Sequence, residues 1–122
     1  MKQGYVYFAG VKEDDTLYKI GFSTDVDKRI QSLQTASAHH LMLSHCVQGT
    51  KADERRLHEL LARERVVGEW FRGTDTHYVA WATQELDSID EVLIVRWIAK
   101  TVAELDDAIR ERYETSNPTQ AS

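Results

Sequence analysis

Strand, strand, helix, strand, helix, with more helices behind, is the order legible along the chain, and it predicts an α/β fold. Two observations carry that prediction. Aromatic and β-branched runs set between glycines fill the segment before residue 24. Beyond it, apolar residues recur every three to four positions behind Ser/Thr capping signals, interrupted by one further strand-like run.

The first strand is Gly4-Tyr-Val-Tyr-Phe-Ala-Gly10 and the second Leu17-Tyr-Lys-Ile-Gly-Phe22, joined through the acidic turn Glu13-Asp14-Asp15 as a β-hairpin. Alternation places Tyr5 and Tyr7 on one face of the first strand, and Leu17, Lys19 and Gly21 on one face of the second, so Tyr7 and Lys19 can share a face. Thr24-x-x-Asp27 resembles a capping box and opens a helix whose Val26, Ile30 and Leu33 face the core. Asp25 and Arg29 stand four apart on another face, which lets Arg29 pair locally or project toward the hairpin. Leu41-Met-Leu-Ser-His-Cys-Val47 is the third strand. From Lys51 to about Val66 the pattern is helical, with Leu57, Leu60 and Leu61 in the apolar stripe and Glu54 and His58 stacked at i, i+4 beside it. Gly68-Glu-Trp-Phe71 breaks that helix. A short helix around Tyr78–Leu86 follows, then a long one opened by Ser88-x-x-Glu91, with Ile94, Ile98, Val102, Leu105 and Ile109 as its buried stripe. Thr115–Ser122 is small and polar and reads as a flexible tail.

The 122 residues suit one domain, and 42% apolar with 29% charged residues is a balance that can bury a core. No apolar run approaches the roughly 20 residues that span a bilayer, and the N-terminus shows no signal-peptide core, so the reading is a soluble, non-secreted, cytoplasmic protein with no membrane partner. Cys46, the only cysteine, excludes an internal disulfide and reads as a buried strand residue. The net charge of −5 is unlike that of a dedicated nucleic-acid binder, yet it is unevenly spread. Residues 1–73 hold eleven Lys/Arg against ten Asp/Glu, net +1, whereas residues 74–122 hold four against ten, net −6. A polyanion would dock on the first part.

Singly, the polar residues say little: a tyrosine and a lysine on neighbouring strands are most often a packed ring and a solvated amine, and Arg29 or the Glu54–His58 pair a surface ion pair. Their order says more. Tyr5-Val6-Tyr7, Lys19-Ile20-Gly21, Lys28-Arg29 with Arg29 ten residues beyond Lys19, Glu54-x-x-Leu57-His58 and Gly68-Glu69-Trp70-Phe71 together resemble the GIY-YIG nuclease superfamily. The likeness is to its phage and fungal subgroup, with a K-I-G second motif and E-x-x-L-H and G-E-W-F signatures. It covers roughly residues 4–73, leaving Leu33 where members carry a histidine or tyrosine, and no counterpart of a late asparagine.

The resemblance implies a small, mostly antiparallel three-stranded sheet flanked by helices: a nuclease core over residues 1–73, with the helical extension 74–114 packed on the same domain. It further implies DNA phosphodiester hydrolysis with one Mg²⁺ or Mn²⁺. Tyr7 and Lys19 would activate the attacking water, Arg29 would clamp the phosphate with its planar fork, and His58 would bond the phosphate or support the metal. Glu54 leads as metal ligand and Glu69 follows. Glu59 is the third choice, since it lies about 140° around the helix from Glu54. The acidic C-terminal helices would brace the fold or join a second copy or another protein. The other reading, favoured by the net acidity and the absent asparagine, is a GIY-YIG-fold binding or regulatory module without turnover.

Overall fold

The computed structural model describes residues 3–116, and in it one five-stranded antiparallel sheet is flanked by four α-helices. The strands are β1 (Tyr5–Val11), β2 (Asp14–Ser23), β3 (Leu41–Gln48), β4 (Arg65–Val67) and β5 (Trp70–Arg72), in the order β3-β1-β2-β5-β4. The helices are α1 (Val26–Ala36), α2 (Lys51–Leu60), α3 (Thr74–Leu86) and α4 (Glu91–Ser116).

β1 is central among the three long strands and pairs with β2 and β3, Tyr7 standing opposite Gly21 on one side and Cys46 on the other. Alternation then divides the sheet into two faces. Tyr7, Ala9 and Val26, with Ile30 and Leu33 against them, form the cluster beneath α1. Val6, Phe8, Ile20, Val47 and Phe71 face the other way, onto Leu57 of α2, Val79 of α3 and Ile94 of α4. Residues from both sides of position 73 thus share one cluster.

Several elements differ from expectation. The sheet has five strands rather than three, because residues 65–72, read as the end of a helix and its breaker, fold into the β4–β5 hairpin. α2 stops at Leu60, a 3₁₀ turn over Ala62–Glu64 follows, and Gly68 takes the left-handed φ of +55° that the hairpin turn requires. At α1 the cap is Asp25, whose carboxylate accepts the Lys28 N–H at 3.1 Å, and not Thr24. α3 begins at Thr74, four residues before Tyr78. Asp90 caps α4, accepting from Val92 at 3.0 Å, while Ser88 Oγ accepts from the Asp90 N–H. The stripe on α4 is buried at Ile94 and half-buried at Ile98, but Val102, Leu105 and Ile109 face solvent. Of the segment read as a tail, residues 115 and 116 close α4, and 117–122 lie outside the described residues. Among the described residues no helix is long and apolar enough to cross a membrane.

Candidate active site

Tyr7 organises the site. It is 2% exposed, and its ring lies across Gly21: a Cβ built there would overlap the phenol oxygen and ring. The glycine is thus a space, and any side chain in its place would evict the tyrosine. Burial, seconded by the negative charge of Glu69, pushes the Tyr7 hydroxyl up to about 12, Arg29 pulling it down and Glu54 adding to the rise. Burial and two carboxylates thus outweigh the guanidinium, and the neutral phenol is the favoured form.

Lys19, two residues before Gly21 on the same face of β2, has its Nζ 3.1 Å from Glu69 Oε2 and 5.4 Å above the centre of the Trp70 ring. Trp70 is its register partner across the β2–β5 ladder, so the hairpin supplies both the platform and the counter-ion. That ladder ends at Lys19. One residue on, Ile20 turns its outward amide to the Glu69 carbonyl at 3.0 Å, and its outward carbonyl accepts from His58 Nε2 at 2.9 Å. A carbonyl only accepts, so Nε2 carries the ring proton.

α2 is set by a capping box in which Thr50 and Asp53 satisfy each other's backbone amides. Leu57 anchors its inner stripe in the core, which turns Glu54 and His58 toward the rim of β2 beyond the end of β5. Glu54 is 6% exposed; its Oε1 is 3.6 Å from His58 Nε2, too long for a hydrogen bond, and its Oε2 has no partner. Burial first, and then Glu69, raise its carboxyl above the usual 4.5, against the opposing pull of His58, Lys51 and Lys19. A buried carboxylate oxygen with nothing to bind is a costly feature.

Arg29 occupies the first turn of α1, exposed, beside a shallow depression of about 260 Å³ lined also by Ser23, Lys28 and Ser32. Its guanidinium forms no ion pair with Asp25, whose carboxylate is spent on the cap. Glu69 thus pairs with Lys19 and acts on both Tyr7 and Glu54, His58 lies beside Glu54, and Arg29 is within electrostatic reach of the phenol. Glu59 is exposed and does not act on Tyr7 or Glu54. Two contributors went unread in the sequence: the Ile20 carbonyl, which carries no signal there, and Trp70 as a platform, which the G-E-W-F motif could have suggested. The arrangement offers cationic side chains, a bare carboxylate and a neutral phenol linked through their electrostatics.

A model of the T5orf172 domain matches residues 4–111 of the chain. No curated protein and no solved structure matches it.

Proposed function

The chain belongs to the T5orf172 domain family, and from that premise we propose that it is a metal-dependent endonuclease of GIY-YIG type, hydrolysing DNA phosphodiester bonds. The observation that carries the reading is the Glu54 carboxylate, buried and with Oε2 unpartnered, within electrostatic reach of Tyr7, Lys19 and Glu69.

The residues present fit Mg²⁺ or Mn²⁺. A carboxylate is a hard oxygen donor, and Mg²⁺ keeps much of its shell as water and substrate phosphate. Among the described residues no three His, Cys, Asp or Glu side chains group to hold a metal, so Glu54 would be the principal protein ligand and Glu69 the second in reach. When bound, the ion would neutralise charge on the phosphate and the leaving oxygen.

The chain's own groups have separate tasks. With its hydroxyl pushed up to about 12, Tyr7 is a neutral phenol at pH 7, and orients the attacking water by hydrogen bonding instead of deprotonating it. Lys19, steadied by Glu69 and Trp70, presents an ammonium to the phosphate or leaving oxygen. Arg29, exposed and not ion-paired with Asp25, offers its planar fork to the non-bridging oxygens. His58 holds α2 to β2 through Ile20 and so fixes the direction from which Glu54 reaches the site. Binding through phosphates makes the affinity strongly dependent on salt.

Supercoiled plasmid incubated with Mg²⁺ or Mn²⁺, wild type beside identically purified Glu54→Ala, tests the reading. Metal-dependent nicking by the wild type alone is the expected result. Equal activity in both would remove Glu54 as ligand and turn attention to Glu69. No nicking by the wild type on duplex, single-stranded and branched DNA would favour a binding module that keeps the shape without the reaction.

A further inference from the structure

α4 (Glu91–Ser116) runs on past the turns that pack against the body. Its first turns dock through Ile94, Trp97 and Ile98, with Trp97 edge-on to Trp81 of α3 at 4.6 Å. From Val102 to Arg112 every side chain is exposed. Those eleven residues nevertheless carry a seam. Val95, Ile98, Val102, Leu105 and Ile109 alternate in steps of three and four, an uninterrupted heptad register with Val95, Val102 and Ile109 at a, and Ile98 and Leu105 at d. Val95 is 46% exposed, Val102 39%, Leu105 45% and Ile109 65%. An isolated helix of this length is marginal in water without a packed face.

We infer that α4 pairs antiparallel with α4 of a second copy of this chain, closing the seam as a two-helix coiled coil. The residue types suit two strands, β-branched at a and with Leu105 at d. The positions flanking the seam in its exposed half are Thr101, Ala108 and Asp106, so no like-charged pair opposes closure there. Charge selects the orientation. Residues 91–103 hold Arg96 and Lys100 against Glu91, net +1, whereas residues 104–116 hold five acidic and two basic side chains, net −3. A parallel pair sets −3 against −3, while an antiparallel pair sets each acidic half beside the other's basic half and opposes the helix dipoles.

Matching a to d fixes the register: Val102 faces the partner's Leu105, and Ile98 faces the partner's Ile109. The exposed half of each helix then covers the docked half of the other. At 1.5 Å per residue, the two Ile94 positions stand about 28 Å apart along the axis, with the two bodies at opposite ends.

Light scattering on the full chain across a concentration series tests the pairing. The expected result is a dimer that Leu105→Asp and, independently, Ile109→Asp each convert to monomer, with the melting of the body retained because both side chains are exposed. A wild type that remains monomeric at 100 μM, or a dimer indifferent to both substitutions, overturns the inference. Orientation is read in a Cys46→Ala background. Ile98→Cys mixed with Ile109→Cys should yield a disulfide-linked heterodimer, whereas Ile109→Cys alone should not crosslink, its two copies lying about 16 Å apart along the axis. Efficient crosslinking of Ile109→Cys with itself would mean parallel helices and refute the antiparallel pair.

Discussion

Glu54→Gln should make the protein more stable while abolishing cleavage. Glu54 is buried, its Oε2 has no partner, and its Oε1 lies beyond hydrogen-bonding distance of His58. An unsatisfied buried polar group costs about 1–3 kcal/mol and a charged one more; the amide keeps the shape and an unpartnered polar end but removes the charge, so the gain is that excess, taken as about 1–3 kcal/mol. For a chain of this length about 4 °C accompanies each kcal/mol, so the melting temperature at neutral pH should rise by about 4–12 °C. The pH dependence has a definite sign. Well below 4.5 the carboxyl is protonated in both folded and unfolded chains, and wild type and variant should melt together. As pH rises past 4.5 the unfolded chain releases its proton first, because burial and Glu69 hold the folded carboxyl above that value. The wild type therefore loses stability relative to the variant until the folded carboxyl has also ionised, and the gap is constant thereafter. Thermal melts followed by circular dichroism from about pH 3 to 8 measure it. Added Mg²⁺ should recover part of the difference for the wild type and none for the variant, since a ligand that binds only the folded state stabilises it. A variant that melts below the wild type at pH 7, or a gap that does not change with pH, would refute a strained, unpaired carboxylate at this position.

Gly21→Ala should displace the Tyr7 ring from β2, lowering stability by about 1–3 kcal/mol as an overpacked site and cutting cleavage with it; far-UV dichroism beside a nicking assay separates the two effects. Arg29→Ala should leave stability within about 0.5 kcal/mol, because the side chain is exposed and unpaired with Asp25, yet reduce the cleavage rate by roughly 10²-fold or more if the guanidinium meets the phosphate. Phe71→Ala should cost about 3–5 kcal/mol in denaturant unfolding as a fully buried ring, and half-buried Trp70→Ala should cost less while loosening Lys19.

The three long strands and the inner faces of α1 and α2 were legible because each is long enough to show its period: Tyr5 and Tyr7 on one face, Val26 and Ile30 on one stripe. That Tyr7 and Lys19 can share a face followed from alternation; that they do rests on the β1–β2 register, which sets Tyr7 against Gly21 and Ala9 against Lys19. The β4–β5 hairpin was not legible, since three residues contain no period, and Arg65-Val66-Val67 continued a helical pattern whose true end at Leu60 depends on tertiary pairing. Glu69 therefore read as the end of a helix, although its carboxylate meets Lys19 only through that hairpin. The stripe on α4 was legible as a stripe, but periodicity does not say what a face meets, and the exposed half needed the fold. The caps slipped by one or two positions, Asp25 for Thr24 and Asp90 for Ser88, because neighbouring residues of equal capping chemistry compete.

The hairpin that supplies Glu69 and Trp70 is joined to the sheet by few ladder bonds, and its anchor is one side chain, Phe71, buried in the core. Each of its strands is three residues long, β4 is wholly exposed, and β5 holds to β2 over Leu17–Lys19. Undocking the hairpin costs those few bonds and the withdrawal of the one buried ring, less than unfolding the whole core. Such an opening frees Lys19 from its carboxylate and its ring together, and releases the Ile20 amide, while Phe8, Leu57 and Ile94 remain packed. Heating would thus disarm the site before it melts the molecule, and a chain caught partway through folding, with its strands paired but its hairpin undocked, would be inert toward any nucleic acid nearby.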